Sequence, residues 1–372
     1  MRILFAILAL FAALNLQAEQ FTVYVGTYTA PNASKGIYKF NFDNSTGVAT
    51  APELAAEVES PSFVAVHPNG RFLYCVNETA SFAGKKQGAV SAFSINPTTR
   101  ALAALNQQPS VGDGPCHINV DRAGKNVLIA NYGGGSIACL PIDGDGGLKP
   151  ASTFIQHTGS SANPNRQKEP HAHSINLDKS GKYAFVCDLG LDKIFTYNFD
   201  AAAGKLTEAQ FAAIKPGSGP RHFAFTPDFS RAYAISEMAQ TVTAFNYDGK
   251  GKLTEFQTIS TIPQETPGNS TAEIVVHPSG KFVYGSNRGH NTIAVFSVDP
   301  KSGQLARIQN ASVEGKTPRN FVVDPSGKFL IAANQDSNNI TFFSIDAATG
   351  KLTYTGKSLQ AFKPVCLRFL KN

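Results

Sequence analysis

Tryptophan is absent from all 372 residues and methionine occurs only twice, so aromatic packing rests on 27 phenylalanines, with 11 tyrosines as the minor partner. Cysteine is scarce and odd in number: Cys75, Cys116, Cys139, Cys187 and Cys366, with no CxxC spacing. Set in apolar, strand-like stretches, they read as buried thiols rather than a disulfide framework. No run of Lys or Arg marks a nucleic-acid arm. No apolar stretch reaches the roughly 18 residues that a membrane-spanning helix needs. The N-terminal one, Ile3 to Leu14, follows a basic Arg2 and precedes the small Ala18, which is the layout of an export leader. Cleavage after Ala18 is expected, leaving residues 19–372 as a periplasmic or secreted protein. No cysteine follows closely enough to carry a lipid, so the mature chain is expected to be free of the membrane. Removing Arg2 from 33 Lys+Arg leaves 32 against 27 Asp+Glu, a formal charge of +5 that is scattered along the chain. A mild basic excess of this kind suits an anionic small molecule and argues against nucleic acid.

What the chain does have is a repeat. Six segments, beginning at residues 61, 115, 172, 220, 271 and 318, lie under one another; "PSFVAVHPNGRFLYCVNE" and "PRNFVVDPSGKFLIAANQ" are the first and last. Each is an alternating strand, a turn of the DPSGK type and a second β-rich strand. A third strand follows, as in "GAVSAFSI" or "NITFFSI", then a turn and a fourth strand. A four-strand unit recurring about every fifty residues is a β-propeller blade. The N-terminal "FTVYVGTYT…GIYKFNFD" lacks a first strand, and the C-terminal "KPVCLRFL" looks like a lone first strand. Joining them makes a seventh blade and closes the ring without a long exposed edge. The expected architecture is therefore all-β: one seven-bladed β-propeller over residues 19–372, four antiparallel strands per blade, without a linker.

Antiparallel pairing brings the start of each first strand beside the end of each second strand, at the end of the propeller away from the DPSGK turns. The turns hardly change from blade to blade, whereas the opposite end does. At the starts of the first strands stand Ser62-Phe63, Cys116-His117, His173-Ser174, Arg221-His222, Ala272-Glu273 and Arg319-Asn320. At the ends of the second strands stand Asn77-Glu78, Asn131-Tyr132, Asp188-Leu189, Ser236-Glu237, Asn287-Arg288 and Asn334-Gln335. His171 and His173 are two apart, so in a regular strand they share a face. Titratable groups of mixed sign thus gather on one rim around the channel, as a small polar ligand requires. Arg221, Arg288 and Arg319 at the same mouth would repel a cation, so no metal is expected. There is no GxSxG elbow for a serine nucleophile, and Cys116 sits in an apolar strand. Hydrolysis by an activated water fits the inventory better. Glu237, Glu78 or the two histidines can serve as general base, and the arginines can hold an oxyanion, a carboxylate or a phosphate.

At "VGTYT" (25–29), "EPHAHS" (169–174), "GSGPRH" (217–222), "TAEIVVHPSGKFVYGSNRGHNTIAVF" (271–296) and "PRNFVVDPSGKFLIAANQDS" (318–337) the chain resembles the seven-bladed lactonase propellers. That family includes 6-phosphogluconolactonases and the related carboxy-cis,cis-muconate cyclase. The resemblance implies hydrolysis of a sugar lactone, or a closely related lactone-forming reaction, without metal or organic cofactor; a monomer with a small-molecule substrate is expected. It places the catalytic group on His173, Arg221, Arg288 and Glu237, where Ser236 replaces the family's usual Asn. His171, His222, Arg319, Glu78, His117, Gln335 and Tyr132 remain as candidate substrate-binding residues. A cycloisomerase of the muconate-cyclase kind, or a non-enzymatic propeller binding a sugar or a protein, are the rival readings.

Overall fold

The computed structural model describes residues 19–372; the expected leader lies outside the described residues. Seven antiparallel sheets stand around an axis, and no helix occurs among the described residues. The first strands line the axis: Val64–Val66, Pro115–Val120, Ala172–Leu177, Pro220–Phe225, Ser270–Val276, Pro318–Val323 and Pro364–Lys371. Each touches the next around the ring. The last of them pairs antiparallel with Gln20–Thr27, from Phe21 opposite Lys371 to Thr27 opposite Pro364. The two ends of the chain thus complete the seventh blade, as the sequence predicts.

Second strands are sandwiched between blades and buried on both faces, so their middles are continuous apolar runs rather than alternating, with polar residues at the ends. Phe72–Asn77 and Asn126–Asn131 are buried at every residue. The core is therefore distributed between blades. Tyr233, Ile235 and Ala244 of one blade pack on Ile274, Val283 and Phe296 of the next, and Phe42 stacks on Phe342 across the closing seam. One outer strand departs from the four-strand pattern. In the N-terminal blade it is split into Val48–Ala49 and Glu53–Glu57, because Pro52, between them, has no N–H to give the ladder.

Buried tyrosines rivet neighbouring blades. Tyr24, Tyr74, Tyr233 and Tyr284 are fully buried, and their hydroxyls donate to Arg100, Gly146, Gly303 and Gly350 carbonyls in the outer turn of the following blade. At the turn end, Asp121 and Asp178 each accept two backbone N–H groups of their own turn and Asp324 accepts three, from Ser326, Lys328 and Phe329. These bonds explain why the turns repeat: each aspartate satisfies amides that the tight connection leaves unpaired. Tyr284→Phe strands a buried Gly350 carbonyl, and is expected to lower unfolding stability by about 1–3 kcal/mol in urea titrations while leaving catalysis intact.

Candidate active site

The first strands do not run regularly at the mouth. In five of them one residue is skipped by the ladder: Ala172 faces Asp188 and Ser174 faces Cys187, leaving His173 unpaired. Arg221, Arg319, Cys116 and Val365 are skipped in the same way. A β-bulge re-aims the extra residue and breaks the alternation beyond it. Here the bulge turns His173, Arg221, Arg319 and Cys116 toward the channel. It also corrects the expectation that His171 and His173 share a strand face. His171 precedes the strand Ala172–Leu177, stacks on the Tyr132 ring (centroids 4.5 Å apart) and is bonded through Nδ1 to the Tyr132 carbonyl at 2.9 Å. It supports the wall of the site.

A cavity of about 190 Å³ fills the mouth, lined by His173, Glu237, Arg288, Arg319, Arg166, Tyr132, Glu78 and Cys116. Glu237 is its electrostatic centre. Its Oε1 lies 2.7 Å from Arg166 Nη2; its Oε2 lies 2.8 Å from Arg288 Nη2 and 3.1 Å from Arg221 Nε. Burial pushes the pKa of this carboxyl up, but the guanidiniums of Arg288, Arg221 and Arg166 outweigh burial and hold it down at about 2. Burial and the repulsion of Arg288 and Arg319 bring Arg221 down to about 10, still charged at neutral pH. Burial, with Arg221, His222 and Arg319 nearby, keeps His173 well below the usual histidine range, so its imidazole is neutral at pH 7. Burial pushes the Cys116 thiol upward, which leaves no thiolate beside His173 Nδ1, 3.6 Å away.

Arg319 is different from the other arginines. Its guanidinium lies over the Tyr28 ring, 5.4 Å from the centroid, and among the described residues it makes no ion pair. Tyr28 donates to Glu78 Oε2 at 2.9 Å, and Ser62 donates to the same oxygen. Arg288 Nε is buried without an acceptor. The mouth therefore presents one unpaired cation and one unused donor beside a neutral imidazole. No group of three or more His, Cys, Asp or Glu stands together as a metal site among the described residues.

Residues 22–369 match the family described as Lactonase, 7-bladed beta-propeller. The chain belongs to this family. The lactonase is 38% identical over 349 residues to the 6-phosphogluconolactonase of Bacillus subtilis, spanning 93% of this chain and 97% of that one. It is 36% identical over 306 residues to the 6-phosphogluconolactonase of Formosa agariphila, spanning 80% and 85%. The structure of a periplasmic gluconolactonase from Pseudomonas aeruginosa superposes with a TM-score of 0.88 at 33% identity, over 94% of this lactonase and 99% of the other chain.

Of the candidate residues read from the sequence, His173, Glu237, Arg288, Arg319, Glu78 and Tyr132 line the mouth cavity, with Arg221 against Glu237 behind it. His117 and His222 do not. They follow the bulged residue in their strands and so line a deeper part of the channel. Gln335 is turned away as well, its amide donating to Asp336. Arg166 was missed by the column comparison because it lies outside the repeated strands. Tyr28, which follows Thr27 opposite Pro364 as Glu237 follows Ser236 opposite Pro220, was missed because the columns ran through the six complete units and not the blade formed by the two termini.

The lactonase holds Arg166 on the connection 157–171, where most blade-to-blade connections are much shorter, and that length was the available signal. Two aspartates pin this connection. Asp188 receives His157 Nδ1 at 2.6 Å and the His171 backbone N–H at 2.9 Å. Asp192 accepts four bonds: Ser161 Oγ, Gln167 Nε2 and the Gly217 N–H on Oδ2, and the Gly219 N–H on Oδ1, all within 2.8 Å. It ties the loop carrying Arg166 to the loop preceding Arg221. Asp192 is at φ 52°, a conformation that Asn tolerates. Asp192→Asn therefore keeps the backbone but turns an acceptor into an amide donor against N–H groups. The lactonase should lose at least about tenfold in kcat/KM, the cost of roughly 1.4 kcal/mol of misplaced transition-state contact. Steady-state kinetics beside an unchanged circular dichroism spectrum checks it.

Proposed function

We propose that this lactonase opens a sugar lactone carrying an acidic group, by water activated at the propeller mouth. The observation that carries the reading is the charge arrangement. Four guanidiniums (Arg166, Arg221, Arg288 and Arg319) meet two carboxylates (Glu237 and Glu78), and Arg319 has no anionic partner of its own. An unpaired guanidinium lining a pocket selects a carboxylate or phosphate. Arg288, with Arg221 behind it, stabilises the oxyanion that forms when water adds to the lactone carbonyl.

Glu237 is a weak base in this setting, since both oxygens are engaged and its pKa is about 2. His173 is the general base. It takes a proton from the attacking water and returns it to the ring oxygen as the C–O bond breaks, so the product hydroxy acid leaves with the proton balance closed. Burial, with Arg221 and Arg319, disfavours its imidazolium in the free protein. An anionic substrate offsets that positive field and makes His173 more basic once bound. Glu237 holds three arginines in place without entering the proton transfer.

The leader-like segment ahead of residue 19 and the likeness to a periplasmic gluconolactonase support export. The substrate is then a lactone met outside the cytoplasm, its acidic group a carboxylate or a phosphate. Purified residues 19–372 should release acid from anionic sugar lactones with a KM at least about tenfold below that for the uncharged parent, and Arg319→Gln should erase this preference. A muconate that is cyclised, with no lactone opened, would overturn hydrolysis. The acid limb of kcat should fall at higher pH than that of kcat/KM, because substrate binding raises the His173 pKa. His173→Ala should cost roughly 10²–10⁴ in kcat and remove that limb. Glu237→Gln should lower kcat/KM while the limb stays. N-terminal sequencing of the exported protein should begin at Glu19.

A further inference from the structure

Beneath the mouth the channel pinches to about 10 Å³ between Phe63, His173, Arg221 and Val365, no more than a single water needs. It then opens into a second chamber of about 230 Å³, lined by His117, His222, Glu273, Phe63 and Arg368. His117, Asn176 and Arg368 continue into a lower space of about 280 Å³ walled by Val66, Asn119 and Phe369, residues toward the turn end of the inner strands. The chamber is thus reached from the face opposite the mouth.

Its polar groups are partly spoken for. Glu273 Oε1 lies 2.8 Å from His222 Nδ1 and accepts the Ile274 N–H at 3.0 Å, while Asn320 Nδ2 donates to Oε2. With Nδ1–H turned to a carboxylate, the neutral His222 ring carries a bare lone pair on Nε2. That nitrogen is buried without a partner, on a residue 4% exposed. Arg368 lies over the Phe63 ring, 4.5 Å from its centroid, and donates to the Leu367 carbonyl. Among the described residues it has no ion pair. An orphaned buried nitrogen and an unpaired cation in one chamber call for a ligand that satisfies both.

We propose that this chamber is a binding site for a small monovalent anion, and that the anion enters together with one proton, which His222 takes on Nε2. Arg368 donates to the anion from one side and the new Nε2–H from the other. Uptake of the pair is electroneutral, which matters because an uncompensated buried charge is costly. The charged and titratable groups facing His222 are Glu273 from Ser270–Val276, Arg368 from Pro364–Lys371, and His117 from Pro115–Val120. His173 from Ala172–Leu177 and Arg221 on its own strand complete the set. Burial, with Arg221 and Arg368, opposes the imidazolium and outweighs Glu273, which favours it; the arriving anion tips the balance.

Bromide is the probe. Crystals of residues 19–372 soaked in sodium bromide at pH 5.5 should show an anomalous peak in the chamber, between Arg368 and His222 Nε2. Bromide titrations followed by the His222 ring resonances should give an affinity rising about tenfold per pH unit lowered, the slope of one coupled proton. Arg368→Gln, a substitution at a partly exposed side chain, should abolish the peak. Bromide confined to the outer surface, or a chamber peak that survives Arg368→Gln, would overturn the site. A chamber affinity that does not change between pH 5.5 and 8 would overturn the coupled proton.

Discussion

The antiparallel pairing of Pro364–Lys371 with Gln20–Thr27 is the contact on which the rest of the molecule depends. It joins residues separated by nearly the whole chain, and it is what turns a row of blades into a ring. Without it the N-terminal blade has no inner strand, and the strand Gln20–Thr27 exposes a row of unpaired amides and carbonyls. The same eight residues also supply the axis. Val365 stands at the pinch, Cys366 packs under Val64, and Arg368 reaches into the chamber below. Closure and channel chemistry are therefore one structural event. Such a long-range pairing carries a loop-closure cost that only the finished blade repays.

Around the axis the molecule separates two kinds of buried polarity. At the turn end, aspartates chiefly hold the backbone of their own turn. At the mouth, like charges are held together against their repulsion by a single carboxylate, Glu237, shared among three guanidiniums. Such clustering is tolerated because the supports lie outside the cavity: Asp188 and Asp192 fix the loops, and the stacked His171 fixes Tyr132. Arg166, Arg221 and Arg288 are each held against Glu237, and donors fixed in this way can stabilise negative charge without reorganising.

The ring, the blade count and its closure were legible in the sequence because each blade repeats the same hydrogen-bonding solution at the same place. The rim residues were legible for the converse reason, since they vary where the framework does not. Periodicity failed where the backbone itself is irregular. The bulge at His173 uncouples it from His171, and the bulges at Cys116 and Arg221 drop His117 and His222 one layer down the channel. Arg166 has no counterpart in other blades, so no column could contain it, and Tyr28 stands in the blade shared by the two termini, which the columns of the six complete units leave out. Asp192 was hidden because its role is set by four donors from two separate loops. Pro52 was a visible warning that the fourth strand of the N-terminal blade would break.

The bulge has a wider consequence for how such a ring can change over time. A residue skipped by the ladder carries no cross-strand pairing, so replacing it leaves the sheet register untouched. The ring offers several such sockets at equivalent heights, filled here by imidazole, two guanidiniums, a thiol and the inert Val365. Chemistry can be exchanged socket by socket while the blades stay as they are. A propeller built this way is free to drift from one lactone to another, or from bond breaking to bond making, through a handful of substitutions that leave the strand register unchanged.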